Sequence, residues 1–371
     1  MDNEIVDELA TLASTAPDFY PRPLKDPSNK GLVRSAFQKA MRRGETDRAL
    51  RMGEFLIDAD DTSAWRSLAT VLVEDIGFGD LDLLAYGTVT TLKTIREGFA
   101  GSAGADKLFA AMVQRACEAP KTRSCCELSL GADKGAGDVW TLLNGKWGED
   151  DAALMNLMLD DSLPTAYVAS CLLRKRLRGQ GADALMPPLQ RIMESLDDWR
   201  EARACMMSFE RTVDSMNLAL FPIVRKLNAV GEEIEVVDEK PTWPEEAIIK
   251  SVSSAAFDMH TGVGARALKA LWNQTRGECE WMQEVEANPP FEDWSPIKTI
   301  GSLVFIVEGG LLDRRLMSPT LKALKRYQDT NFAKGYGVPA YVVDQAFDEL
   351  LEFATDLIPK LNELRAWSAK K

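Results

Sequence analysis

The sequence predicts an all-α protein, a multi-helix array whose helices are joined by short loops. Three observations carry this reading. Apolar residues recur at three- and four-residue spacing through most of the chain. Asp, Ser, Thr or Pro often stands before these stripes and Gly after them, as at helix starts and stops. Strand-like alternation occurs at residues 232–237, and one short strand does not make a sheet. A chain of 371 residues, 46% of them apolar, is enough for one large or two ordinary domains with a sizeable core.

Taken in order, residues 4–14 read as an amphipathic helix with Ile5, Leu9 and Leu12 on one side. Pro17, Pro21, Pro23 and Pro27 make residues 17–28 an extended arm. Helices are expected over 32–43, 47–57, 63–76, 81–97, 105–117 and 122–130. The clearest is 63–76. Trp65, Leu68, Ala69, Leu72, Val73 and Ile76 form one buried stripe, Gly77 stops the helix and Asp80 caps the next. Gly131–Gly137 reads as a loop. Further helices are expected over 139–144, 150–158, 164–177, 181–196 and 199–226, then, after a turn at 241–245, over 246–258, 263–285, 296–308, 318–328 and 342–366. There is no internal repeat and no low-complexity block.

The net charge of −13 gives no global attraction to nucleic acid, so any such contact must come from a local basic patch. Cys117, Cys125, Cys126, Cys171, Cys205 and Cys279 include no C-x-x-C pair and read as reduced thiols in a cytoplasmic setting. His260 is the one histidine, so neither a zinc site nor any other metal centre or cofactor is expected. No leader is legible among Asp2, Glu4, Asp7 and Glu8, and the longest uncharged apolar run, 299–307, is about half a membrane span.

Four constellations could carry chemistry. Arg34, Lys39, Arg42 and Arg43, continued by Arg48 and Arg51, form a basic helix. It is either a solvated face partly paired to Glu74 and Asp75, or a contact for DNA phosphates. Arg174, Lys175, Arg176 and Arg178 are the densest basic cluster. They complement a helix C-terminus and offer a second phosphate contact. Asp258 and His260 suggest acid–base work, against a reading in which Thr261 caps a helix and His260 bonds Asp258; Gly262 and Gly264 at that helix start could hold an anion. The acids Asp58, Asp60, Asp61, Glu149, Asp150, Asp151, Asp160 and Asp161 fall at helix junctions, where Asp caps more often than it binds magnesium. Trp65 and Trp272 read as core, and Trp243, Trp281 and Trp294 lie in or near loop-rich stretches; base stacking would need such a ring beside a basic groove, as Trp294 beside Arg276 would be, a placement that sequence does not fix.

Residues 31–130 resemble a known family. Arg34-Ser35-Ala36-Phe37-Gln38-Lys39-Ala40, Ala49-Leu50, Asp60-Asp61, Arg66 with Leu68, Glu74-Asp75-Ile76-Gly77 with Asp80, and Ala119-Pro120-Lys121-Thr122-Arg123-Ser124 stand in the order seen in the helical C-terminal region of MgsA/RarA-type AAA+ replication-recombination factors. The family's ATPase has no counterpart, because no stretch fits G-x-x-x-x-G-K-[ST]; Gly131–Gly135 and Asn144–Trp147 both lack the lysine with its Ser or Thr. The resemblance implies a clamp-loader-collar-like part at 31–135, between an N-terminal helix and arm at 1–30 and a second helical domain at 136–371. It implies a self-associating, non-enzymatic replication or recombination accessory protein that engages DNA, a replisome component or single-strand binding protein, and such a stand-alone form suits a phage-encoded factor. The rivals are a protein-binding adaptor with an acidic surface and an enzyme centred on Asp258 and His260. Within the motif, Glu74 and Asp75 lie at the negative end of a helix dipole and require a cation, with Arg42, Arg43 and Arg66 as candidates; losing Glu74 should cost about 3 kcal/mol if it is buried and paired.

Overall fold

The computed structural model describes residues 2–23, 29–98, 102–135, 137–142, 151–160, 162–177, 190–191, 194–210, 215–238, 247–249 and 252–370. Among these the chain is a multi-helix array with two small two-stranded sheets. The helices are α1 (Asp2–Ser14), α2 (Lys30–Arg42), α3 (Thr46–Ala59), α4 (Asp61–Val71), α5 (Leu81–Thr90), α6 (Lys93–Gly98), α7 (Ser102–Glu118), α8 (Ser124–Gly135), α9 (Gly137–Leu142), α10 (Asp151–Met158) and α11 (Leu163–Leu177). Then come α12 (Trp199–Glu210), α13 (Leu220–Val230), α14 (Gly262–Thr275), α15 (Glu280–Ala287), α16 (Pro296–Gly309), α17 (Pro319–Gly335), α18 (Ala340–Asp356) and α19 (Ile358–Ser368). The expected helix at 181–196 lies almost wholly outside the described residues.

The N-terminal part packs around aromatic rings. Phe37 of α2 stacks on Phe109 of α7 at 5.9 Å, and Trp65 of α4 meets Phe109 edge-on at 5.1 Å. The expected 63–76 helix divides in two. Its first part is α4, capped by the Asp60 carboxylate on the Ser63 N–H, and its end, Leu72–Ile76, widens into a π turn. Gly77 then takes φ +53°, a left-handed conformation that favours glycine. Asp80 caps α5 through the Leu83 N–H. The expected single helix over 81–97 breaks at Thr91–Leu92, between α5 and α6.

Two expectations are corrected. Gly131–Gly137 is largely helix, because α8 runs on to Gly135 with α17 laid against it; a Cβ at Gly131 would strike the Tyr327 ring and one at Gly135 the Asn331 amide. Within the expected helix at 246–258, the described residues 247–249 and 252–258 are not α-helical. β2 (Ile248–Ile249) pairs with β3 (Val252–Ser253), and a 3₁₀ turn, Ser254–Ala256, follows. The alternation at 232–237 does yield a strand, β1 (Glu235–Val237), whose antiparallel partner is β4 (Arg315–Met317). On its other side β4 bonds Lys121, which donates from its N–H to the Arg314 carbonyl and accepts from the Leu316 N–H.

One buried apolar cluster runs from Ile5 to Ala369 and takes in residues on both sides of position 135. A second gathers round Trp272 on α14, with α16 and α19, and a third joins α16, α17 and α18. No helix among the described residues is long and apolar enough to cross a membrane, and all six cysteines are free thiols.

Candidate functional site

Three features that stand apart in sequence meet at one place: the basic helix, the Glu74-Asp75 turn and the Asp258-His260-Thr261 segment. Helix α2 turns Val33, Ala36, Phe37, Ala40 and Met41 into the core. Its cations do not form a solvated face. Lys39, Arg42 and Arg43 are buried, and Arg34 near the helix start is exposed.

Each buried cation has a partner from a distant element. The Lys39 ammonium lies 2.6 Å from Asp258 and donates to the Ser35 hydroxyl, which itself donates to Asp258 at 3.0 Å. Arg42 grips Asp75 side-on, Nε to Oδ1 at 2.9 Å and Nη2 to Oδ2 at 3.4 Å. Arg123 approaches the same Oδ1 at 3.4 Å, donates to the Gly309 carbonyl and to Cys126 Sγ, and lies 5.2 Å over the Phe305 ring. Arg43 donates to Ser253 Oγ at 3.4 Å, and burial brings its pKa down to about 10. Arg365, fully buried on α19, grips Glu308 of α16 at 2.7 and 2.9 Å and donates to the Phe257 carbonyl. The result is a buried ionic seam between α2, the π turn, α8, α16 and α19.

The expected cation at the Glu74-Asp75 corner is thus Arg42, joined by Arg123, and the carboxylate it holds is Asp75. Glu74 accepts from the side-chain amide of Gln38, whose Nε2 also reaches Asp75 at 3.2 Å. The expected cost of losing a paired Glu74 therefore passes to Asp75. Two stretches of the family-like pattern touch here: the Thr122 N–H donates to the Asp75 carbonyl, and Gly79 passes so close to Pro120 that no side chain fits. Lys121, wholly buried, donates to the Cys117 and Ala119 carbonyls at the end of α7.

Above the seam lies an open cleft of about 640 Å³ between the N-termini of α2 and α14. Arg34, Ser35, Gln38, Asp258, His260 and Arg266 are among its lining residues. Arg34, His260 and Arg266 are exposed; Arg34 donates to Ser63 Oγ and Arg266 to the Ser368 carbonyl. Among the described lining residues Asp258 is the sole carboxylate. Burial alone would raise its pKa, but Lys39, with bonds from Lys39, Ser35 and the His260 N–H, holds it below the ordinary value. Thr261 caps α14 by accepting from the Gly264 N–H at 3.0 Å, as its sequence position suggests.

His260 bonds Asp258 through its backbone N–H at 3.0 Å, and the carboxylate is otherwise committed to Lys39 and Ser35, so it does not orient the imidazole. What the cleft can do is hold an anion. Two arginines and the positive end of the α14 dipole face a space whose carboxylate is already neutralised.

The other candidates lie elsewhere. Arg174, Lys175 and Arg176 form the last turn of α11, Arg176 paired to Asp151 at 2.7 Å and Lys175 exposed; Arg178 lies outside the described residues. Asp60 caps α4, Asp61 pairs with Arg96 and Asp160 accepts from the Ser162 N–H. Glu149, Asp150, Asp161 and Trp243 are outside the described residues. Trp281 and Trp294 pack edge-on against Trp272, at 6.4 and 5.8 Å, and Arg276 pairs with Glu286, so Trp294 is a core ring rather than a stacking platform. Arg266 of the cleft and Glu308 and Arg365 of the seam have no motif that marks them. No family model, curated protein or solved structure matches the chain.

Proposed function

We propose that this chain is a non-enzymatic accessory protein of DNA replication or recombination, and that it holds nucleic-acid phosphates in the cleft between α2 and α14. One observation carries the reading. In a chain of net charge −13, Arg34 and Arg266 flank a cleft whose one described carboxylate is paired to Lys39. Such a site contacts backbone rather than bases, so binding is modest, sequence-tolerant and steep in salt. Lys39, Arg42 and Arg43 support the cleft from below; buried and partnered, they are not phosphate contacts. Self-association belongs to the same proposal, and light scattering at tens of micromolar tests it.

The test is fluorescence anisotropy with short labelled single strands and duplexes across a salt series. Arg34→Ala with Arg266→Ala should lower the slope of log K against log salt by about one unit per lost phosphate contact. An unchanged slope removes the cleft from the reading. Absence of binding by the wild type at low salt replaces the DNA reading with that of a protein-binding adaptor.

A further inference from the structure

We propose that Glu74 is a proton-operated switch beneath the cleft: neutral, it leaves the cleft open to anions, and ionised, it repels them. The argument begins with the allocation of partners. Two consecutive carboxyls lie on a π turn, whose wider winding lets both face α2. Arg42 and Arg123 are both spent on Asp75. Glu74 receives only the neutral Gln38 amide, which it shares with Asp75. Two adjacent carboxyls resist carrying two charges at once, and Glu74 is the one with no cation within bonding distance among the described residues.

The surroundings agree. From α2, Gln38 and Arg42 face Glu74, and from the segment before α8, Arg123 does so. Cys126 on α8 is near, its thiol pushed up to about 12 by burial, so it stays neutral. On α5, Asp82 and Tyr86 turn towards Arg203 and Arg115. On α4, Asp61 pairs with Arg96 and Arg66 is exposed. The 3₁₀ turn Ser215–Ala219 carries no ionisable residue; on the 3₁₀ turn Gly77–Asp80, Asp80 pairs with Arg115 at 2.6 Å, and on α8 the buried Glu127 is opposed chiefly by Arg315. Burial first, then the Asp75 charge, raise the Glu74 pKa to about 7, against the pull of Arg123 and Arg42. Gln38 also lines the cleft, so one side chain joins the proton site to the anion site.

The switch stands on the seam alone; its action on ligand rests on the nucleic-acid reading. Two measurements separate them. In the first, the thermal midpoint is followed against pH for wild type and Glu74→Gln. Wild type should lose stability relative to the variant as pH rises from about 4.5 to about 7, and the two should converge at lower pH. A protonated-carboxyl infrared band at neutral pH, absent from Glu74→Gln, should accompany this. Parallel midpoint curves without such a band overturn the switch. In the second, anisotropy with a labelled single strand is compared at about pH 6 and about pH 8 in a His260→Gln background, which removes the histidine that lines the cleft. Affinity should fall several-fold with rising pH and stay level when Glu74→Gln is added. Binding that is level in both proteins overturns the coupling. Absence of binding in both, with the midpoint difference intact, overturns the nucleic-acid reading and leaves the switch standing.

Discussion

Replacing Asp75 by Asn should be among the most damaging isosteric changes in this protein. Asp75 is 0% exposed and its partner Arg42 3%, so the pair has almost no water to fall back on. The substitution keeps the shape but removes the charge that two guanidiniums share, and it turns an N–H donor towards one of them. Removing one partner of a buried pair costs about 3–5 kcal/mol. Coulomb's law gives about 4 kcal/mol for charges some 4 Å apart at an effective dielectric of 20, in agreement. Against a typical total of roughly 5–15 kcal/mol, the loss is about a fifth of the stability or more. Urea unfolding followed by tryptophan fluorescence should show the midpoint falling with the slope unchanged. The neighbouring Glu74→Gln should cost about 1 kcal/mol or less near pH 5, because its partner is a neutral amide. Adding Arg42→Met to Asp75→Asn should recover part of the loss, since an unpaired buried charge then disappears. If Asp75→Asn is as mild as Glu74→Gln, the cations have been assigned to the wrong carboxyl.

Two further outcomes follow from the packing. Burial raises the Glu127 carboxyl to about 6, so its folded value lies above the unfolded one; its stabilising contribution is complete below about pH 4.5 and is lost as pH rises through about 6, and Glu127→Gln should remove that slope from a midpoint-against-pH series. Gly79→Ala should cost about 2 kcal/mol or more in urea unfolding, because a Cβ there overlaps the Pro120 carbonyl, and a backbone atom cannot step aside as a flexible side chain would.

The helical class was legible because apolar spacing is local, and so were the caps. Asp60, Asp80 and Thr261 each accept from the backbone N–H three residues on, a bond that sequence spacing alone specifies. The misread stretches fail for physical reasons. Ile248, Ile249 and Val252 satisfy helical spacing and a tight hairpin equally well. Gly131 reads as a breaker, yet its missing side chain serves the close approach of α17. The seam was half visible. A cation near Glu74 and Asp75 is required by the helix dipole, and Arg42 was within the expected set. The inward turn of Lys39 and Arg43 was hidden, because their partners Asp258 and Ser253 lie far along the chain. A basic helix face reads as solvated until distant carboxylates are folded onto it.

That distance also decides how the two halves of the sequence relate. Lys39 needs Asp258, Arg123 needs the Gly309 carbonyl, and Arg42 supplies the carbonyl that accepts the Asp313 N–H. Lys121 completes the edge of β4, and α8 is covered by α17. Each of these contacts joins residues before 135 to residues after 250. Without the second set, the first would expose unpaired charges and the apolar face of α8 together, at a cost that burying either alone does not offset. The cleft has the same origin, since Arg34 comes from α2 and Arg266 from α14. The family-like stretch at 31–135 therefore supplies one wall of the candidate site, most of the cations beneath it and the shared carboxylate Asp75, while Asp258, Ser253 and the Gly309 carbonyl, which complete the burial of Lys39, Arg43 and Arg123, come from the other end of the chain.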